Sequence, residues 1–547
     1  MSSKLSATAQ AGAAAVATHS VSGAPNGADA LIRTLADNGV TACFANPGTS
    51  EMQFVAALDR EPRMRAVLCL FEGVATGAAD GYGRMTDRPA VTLLHLGAGY
   101  ANGGANLHNA RRARTPVVNV VGDHATYHRA YDTPLSSDIA AWVAPNSAWA
   151  RSAKHADEVG PLAAEAVTAS LGPPGGCATL ILPADCAWSP TQVRCAARVR
   201  PSRATPAASR IADVAAAIRS AKASGLLIGG HTCRPRGLAA AARLEAVGIR
   251  VWTETFVARQ RRGAGIYAPG RLAYFGEVAQ EELSGLDTLV LVEAQAPAAF
   301  FAYPDKPSPL WPDGCRIETL AGVDEAGDAT LEALADLLEA PAAGPVTSAF
   351  RPAPPQGDLF AQSAGVAIAR HLPHDAIISD DAVTSGTPIF LQTTAAAAHD
   401  WLMLTGGAIG QGIPLAVGAA VACPDRKVVS LNGDGAAMYT VQGLWTIARE
   451  ALDVTVVVFA NGAYKILGVE FGRTGSGRPG PAAKRLLDLG QPTIAWTALA
   501  ASLGVPATRC ETAEAFDQAF AAAMARRGPH LIEAVMSPPP RARQPGA

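Results

Sequence analysis

One stretch constrains this chain more than any other: Lys427-Val-Val-Ser-Leu-Asn-Gly-Asp-Gly-Ala-Ala-Met-Tyr439, answered by Val456-Val-Val-Phe-Ala-Asn461. A β-branched, apolar run from Val428 to Leu431 ends in Gly433-Asp434-Gly435, and a helical pattern follows with Leu444, Ile447 and Ala448 on one face. A second apolar run, Val454 to Phe459, delivers Asn461 and Gly462. The interval from Asp434 to Asn461 is about what one strand–helix–strand crossover needs to set two parallel strand ends side by side. A carboxylate and an amide oxygen so placed suit Mg²⁺, which takes few protein oxygens and completes its octahedron with diphosphate and water. Gly433 and Gly435 allow close backbone approach, and the N–H groups near Ala436 face the phosphates. A tight turn in any α/β protein remains the plain alternative for the Gly-Asp-Gly alone.

The rest of the chain alternates in the same way. Thr41–Ala45 reads as a strand ending in Asn46-Pro47-Gly48, with Thr49 or Ser50 able to cap a helix carrying Met52, Val55 and Leu58. Ala66–Leu70 runs into Phe71-Glu72-Gly73, and the helix from Gly73 to Arg84 is rich in small residues, which predicts close packing, at a subunit interface among the options. Ala90–His95 is followed by a loop, Leu96 to Asn102, then a helix through Leu107 and Ala110; Pro116–Gly122 and Ala178–Pro183 are further strands, the last closing the unit. Polar residues just after strands mark where doubly wound sheets bind ligands.

The predicted fold class is α/β, with three doubly wound parallel-sheet domains. Their extents are 26–190, 205–340 and 358–537, with a linker at 341–357, a disordered extension at 1–25 and a loose tail at 538–547. About three domains is the natural division of 547 residues. A net charge of −2 gives no electrostatic case for nucleic acid or an anionic membrane. No apolar run reaches the roughly 18 to 20 residues of a membrane span. The nine cysteines are scattered without a CxxC, which fits a reducing cytoplasm. In the middle region Gly225–Gly230, Gly248–Trp252 and Thr288–Val292 are the strands. Gly229-Gly230 is a poor nucleotide signal there, with no G-x-G-x-x-G and following acid.

Glu72 follows an apolar strand and precedes the small-residue helix, so it is expected to be buried, and burial disfavours the charged form of a carboxyl. Taken alone it also reads as a helix-start glutamate favoured by the macrodipole. The Gly-Asp-Gly motif, its spacing to Asn461-Gly462 and this glutamate resemble the thiamine diphosphate (ThDP) enzymes. Asn46-Pro-Gly-Thr-Ser-Glu51, Phe71-Glu-Gly-Val-Ala75 and Gly77-Ala-Ala-Asp-Gly-Tyr-Gly-Arg84 look like the pyrimidine-binding domain of acetolactate synthases and benzoylformate decarboxylases. Gly406-Gly-Ala-Ile-Gly-Gln-Gly-Ile-Pro414 resembles the start of their diphosphate-binding core.

The resemblance implies a set of roles. Glu72 activates the cofactor by promoting its imino tautomer, which removes the C2 proton. Cofactor-binding positions are Glu72, Asn102, Gly407, Ile409, Gly433, Asp434, Gly435, Ala436 and Asn461, with Ile409 wedging the cofactor into a V unless it is a plain core residue. Mg²⁺ falls to Asp434, Asn461 and Ala463. Thr49 and His95 fall on the substrate side, His95 moving protons unless it is a satisfied structural histidine; His124, just after strand 116–122, joins them by its position at that strand's end. A homodimer or homotetramer sharing each site between subunits is implied as well.

FAD is not expected, because the arginine/aspartate signature of the biosynthetic acetolactate synthases is missing from the middle region. Ala463–Phe471 lacks that class's Gly-Met and tryptophan pattern, and Val469 and Glu470 stand where benzoylformate decarboxylase has large aromatics. The expected activity is decarboxylation or carboligation of 2-oxo acids, acetolactate synthase-like, with an aldehyde-releasing benzoylformate-type decarboxylase as the alternative. A catalytically weak regulatory paralogue is the contrasting class. A nicotinamide dehydrogenase is disfavoured by the absent dinucleotide fingerprint.

Overall fold

A computed structural model describes residues 24–193 and 201–537. Nearly all of the extension at 1–25, the tail at 538–547 and Cys195 lie outside the described residues. The fold is three parallel-sheet α/β domains. The first sheet holds β1 (Ala42–Asn46), β2 (Arg65–Leu68), β3 (Ala90–Leu94), β4 (Val117–Asp123), β5 (Trp149–Ser152) and β6 (Cys177–Pro183), all parallel, in the order β2-β1-β3-β4-β6-β5. β3 and β6 are buried throughout and β4 almost so, the mark of strands covered by helices on both faces. β6 is the last strand of the unit in chain order, as expected, and lies inside the sheet; β5, whose half-exposed residues give no apolar run, forms the edge.

The middle sheet is built from β7 (Ser224–Ile228), β8 (Arg250–Thr253), β10 (Gly270–Arg271), β11 (Thr288–Val292) and β12 (Arg316–Ala321), in the order β10-β8-β7-β11-β12. β9 (Gln260–Arg262) departs from it. It pairs antiparallel with β14 (His399–Leu402) at the edge of the third sheet, His399 opposite Arg262 and Trp401 opposite Gln260. That sheet also holds β13 (Ile377–Asp381), β15 (Val428–Gly433), β16 (Val454–Ala460), β17 (Ala507–Cys510) and β18 (His530–Val535), in the order β17-β18-β16-β15-β13-β14-β9. β15 and β16 are parallel neighbours, as the spacing predicts, with Gly433 opposite Phe459. The helical stretch between them is two helices, Asp434–Tyr439 and Gly443–Arg449, separated around Thr440, whose hydroxyl donates to the Gly410 carbonyl at 2.9 Å.

The small-residue helix, Glu72–Thr86, packs within its own chain against helix Gly412–Ala422. A Cβ on Gly81 would lie 2.1 Å from the Leu415 carbonyl oxygen, and one on Gly418 would lie 1.8 Å from that of Ala78. The glycines therefore serve backbone-to-backbone contact between the first and third domains. At the far end of the same helix the buried Arg84–Asp80 pair (2.6 Å) is satisfied across all three domains, Arg84 donating to the carbonyls of Ala258 and Met403. Leu96–Ala113 is one helix, not a loop followed by a helix. Its early glycines fit neighbours instead of turning the chain, a Cβ on Gly97 lying 2.1 Å from Ser137 Oγ. Among the described residues no helix is long and apolar enough to cross a membrane.

Candidate active site

The first cluster forms at the carboxyl ends of β1, β3 and β4. Glu72 opens its helix and is 6 % exposed. Its Oε2 accepts a hydrogen bond from Asn102 Nδ2 at 3.0 Å, and Oε1 lies over the backbone at Gly99. Asn102 itself is exposed on the Leu96–Ala113 helix. His95 is the residue before that helix, half-buried, with Nδ1 2.8 Å from Glu51 Oε2.

Glu51 is a residue the sequence reading passed over. It is 2 % exposed and also accepts the Gly48 N–H at 2.8 Å and the Ser50 hydroxyl. A Cβ on Gly122 would lie 1.7 Å from its Oε1, so β4 ends with the carboxylate lying on it. The turn at Thr49–Glu51 is thus closed by the Glu51 carboxylate; neither Thr49 nor Ser50 caps the following helix Met52–Leu58. Thr49 is exposed beside this pair. His124 lies just past β4, its Nε2 3.2 Å from the Thr133 hydroxyl and its ring 5.5 Å from that of His128.

The second cluster forms at the carboxyl ends of β13, β15 and β16. Asp434 is 4 % exposed; Oδ1 accepts the Gly435 N–H at 2.8 Å and Oδ2 the Gly462 N–H at 2.7 Å. Burial pushes its carboxyl up from the ordinary value, against the lowering by these backbone donors. Asn461 Oδ1 accepts the Ala463 N–H at 3.0 Å, so that loop curls back on the amide. Beside Gly433 the space is open, whereas the Tyr464 ring covers Gly435 and Ala436 is buried.

A further carboxylate, Asp381 at the end of β13, was also passed over, although it terminates an apolar strand as Asp434 does. Its Oδ2 gathers the N–H groups of Gly410, Gln411 and Gly412 at 2.8, 3.0 and 3.1 Å. Burial raises it to about 7, the backbone donors opposing. Gly410, at φ +92°, makes the bend that lets these three N–H groups converge.

The segment carrying Gly407 and Ile409 is tied to the first domain. Asn109 both donates to the Ala408 carbonyl (2.8 Å) and accepts its N–H (3.2 Å), and His108 Nε2 lies 3.1 Å from the Gly406 carbonyl. Ile409 is half-buried. From the middle domain Phe300 reaches Gly407: a Cβ there would lie 2.7 Å from Phe300 Cζ. Phe256, Tyr274 and Phe301 pack around that ring. The same loop is fastened to helix Lys465–Arg473 by the Tyr303 hydroxyl, which donates to Glu470 Oε2 at 2.6 Å.

Sequence comparison decides the family. The description "Thiamine pyrophosphate enzyme, N-terminal TPP binding domain" matches residues 25–141, and "Thiamine pyrophosphate enzyme, C-terminal TPP binding domain" matches 390–534. The chain is 54 % identical over 513 residues, 93 % of its length and 99 % of the relative's, to "Putative acetolactate synthase large subunit IlvX" of Mycobacterium tuberculosis. The chain belongs to the thiamine diphosphate-dependent enzymes. Benzoylformate decarboxylase of Pseudomonas aeruginosa is 27 % identical over 91 % of this chain and 96 % of its own. The solved structure of a Rhodococcus jostii ThDP-dependent 4-hydroxybenzoylformate decarboxylase superposes with a TM-score of 0.81 at 25 % identity, over 94 % of this chain and 99 % of that one.

The residues present fit the cofactor of this family. A buried carboxylate, Asp434, has only backbone donors around it and no cationic side chain to pair with among the described residues, a setting a divalent cation would complete. The open space at Gly433 and the carboxyl of Glu72, with Oε1 unclaimed by Asn102, fit a diphosphate and an aminopyrimidine respectively.

Proposed function

We propose that this ThDP enzyme binds its cofactor with Mg²⁺ and decarboxylates a 2-oxo acid, passing the product to a second carbonyl as acetolactate synthases do. The observation that carries this reading is the pairing of a buried, amide-bonded Glu72 with Asp434 and Asn461 at neighbouring strand ends. When bound, the cofactor supplies a nucleophilic carbon and a sink for the electrons released with CO₂. Asp434, Asn461 and the Ala463 carbonyl would hold the metal. Gly433, Gly435 and Ala436 would take the diphosphate, and Gly407 and Ile409 would support the body of the cofactor. Asn102 fixes Glu72 Oε2, which leaves Oε1 as the oxygen that holds and moves the activating proton.

On the substrate side, Glu51 holds His95 through Nδ1, so Nε2 is the nitrogen that exchanges a proton with the reacting carbon or oxygen. Thr49 would receive the substrate carboxylate, and His124 would line the far wall. That His95–Glu51 pair supports the second reading, a benzoylformate-type decarboxylase in which protonation releases an aldehyde. Glu72 and Asp434 stand in the first and third domains, and the family likeness supports completion of each site by a second copy in a homodimer or homotetramer. A cytoplasmic setting accords with the free, mostly buried cysteines among the described residues.

The test is CO₂ release from a panel of 2-oxo acids, pyruvate and benzoylformate included, with ThDP and Mg²⁺ supplied and Glu72→Gln as control. Turnover that collapses in the control upholds the reading, and a hydroxyketone or an aldehyde as product chooses between its two forms. A protein that binds ThDP yet turns over none of the acids would move it to the regulatory class.

A further inference from the structure

The middle domain has the architecture of a nucleotide site. Its strand order reverses between β7 and β11, and in open parallel sheets the crevice outside the carboxyl ends at such a reversal is where phosphates bind. Gly229-Gly230 follows β7 there, and helix Gly327–Leu337 points its first N–H into the same place. Acetolactate synthases of the biosynthetic class hold FAD in this domain.

In this chain a carboxylate already stands at that position. Glu293, the residue after β11, is 1 % exposed and adopts φ +50°, a left-handed conformation that a non-glycine residue rarely takes. Its Oε1 accepts the Gly327 N–H at 2.9 Å and lies 3.0 Å from Arg203 Nη1; its Oε2 accepts the His231 N–H at 2.5 Å. Two backbone donors, one of them at a helix N-terminus, and a guanidinium are what a phosphate would be given.

Thr232 supplies a second, independent sign. It is 0 % exposed, its hydroxyl has no partner, and a Cβ on Gly327 would lie 2.3 Å from that oxygen. The cradle therefore holds one more hydroxyl than Glu293 uses. The two glycines fit the acids rather than a ligand: a Cβ on Gly230 would lie 2.3 Å from Glu293 Oε2, and one on Gly229 2.5 Å from Glu254 Oε2. A diphosphate entering here would meet two carboxylates.

We propose that the switch point of the middle domain is a phosphate-type anion cradle occupied by the chain's own Glu293 carboxylate. The domain is thereby closed to FAD and to nucleotide diphosphates, and removal of that side chain opens it to phosphate. This does not rest on the ThDP chemistry, because its readout is anion binding and melting temperature rather than turnover.

The test uses the full chain with ThDP and Mg²⁺ supplied. Inorganic phosphate, ADP and FAD are each titrated against the parent, Glu293→Ala and Glu293→Gln by calorimetry and thermal melting. The parent is expected to bind none of the three in this domain. Glu293→Ala is expected to melt lower than the parent and to recover about 2 °C or more as phosphate saturates. It should bind phosphate at least about tenfold more tightly than the parent. Glu293→Gln fills the same volume without the charge, so it should melt lower and still bind nothing. ADP binding tighter than phosphate in Glu293→Ala would mark the opened crevice as a nucleotide site; phosphate alone would mark it as a simple anion cradle, and either supports the proposal.

The proposal is overturned by FAD, ADP or phosphate bound in the middle domain of the parent. It is equally overturned by a folded Glu293→Ala that gains no phosphate. Should Glu293→Ala fail to fold, Glu293→Gln decides: a melting temperature equal to the parent's removes the anion role.

Discussion

Replacing Glu51 by Gln keeps the size of the side chain, and hence its seat on Gly122, while removing the charge that His95 Nδ1, Gly48 N–H and the Ser50 hydroxyl share. A hydrogen bond to an ionised partner is worth about 1.5–3 kcal/mol against about 0.5–1.5 kcal/mol for a neutral one. The deficit at His95 is therefore about 1–2 kcal/mol, which corresponds to roughly 5- to 30-fold in rate. The measurement is steady-state CO₂ release with the best 2-oxo acid, together with the rise in melting temperature on adding ThDP and Mg²⁺. The expected outcome is a fall of that size in kcat with the cofactor-induced rise intact, because Glu51 touches neither Asp434 nor Glu72 among the described residues. The same substitution made on a His95→Ala background should cost nothing further, since its effect runs through that ring. Additive losses, or a kcat unchanged by Glu51→Gln, would refute the idea that Glu51 orients His95.

Four further outcomes follow from the geometry. Glu72→Gln should lower kcat by about 10²–10⁴-fold, the usual worth of a positioned proton carrier, while ThDP still raises the melting temperature. Asp434→Ala should abolish the melting-temperature rise given by ThDP with Mg²⁺, and a chelator should reproduce that loss in the parent. Asp381 has its carboxyl raised from 3.8 to about 7 by burial, so its contribution to stability is full below about 4 and is lost as pH rises through about 7. Asp381→Asn should therefore flatten the fall in melting temperature across that window relative to the parent. Gly418→Val should lower stability by about 1–3 kcal/mol or more, seen as a lower denaturant midpoint, because its Cβ would meet the Ala78 carbonyl.

The sheets and the two clusters were legible where residues are close in sequence and strands are buried on both faces. β15, β16 and the Asp434–Asn461 pairing follow from apolar runs and one crossover length. The edge strands β5 and β12 were missed because their half-exposed residues carry neither alternation nor an apolar run. The buried β13, β14 and β18 were missed because polar residues (Ser379-Asp380-Asp381, His399-Asp400, Glu533) break their apolar runs. The start of the Leu96–Ala113 helix reads as a loop because its glycines lower helix propensity; close contacts with Ser137 and Glu72 outweigh that preference. Glu51 was invisible for a different reason. A glutamate after Pro-Gly-Thr-Ser looks like any turn residue until β3 brings His95 against it. The partner of the small-residue helix was likewise hidden, since nothing in Gly77 or Gly81 says whether the helix it meets belongs to the same chain or another.

β9 has a consequence for how the chain can be divided. Its three residues leave the middle domain's sheet to cover the side of β14, where Arg259 also grips Asp400 at 2.8 Å. A fragment holding only residues 358–537 would shed that cover and present a naked row of amide and carbonyl groups along His399–Leu402. Such a fragment would recruit any extended strand it met, its own sisters first, and precipitate. The middle segment thus shields one edge of the third domain's sheet, and shuffling domains among relatives needs its cut placed before Gln260 rather than at the Pro- and Ala-rich linker.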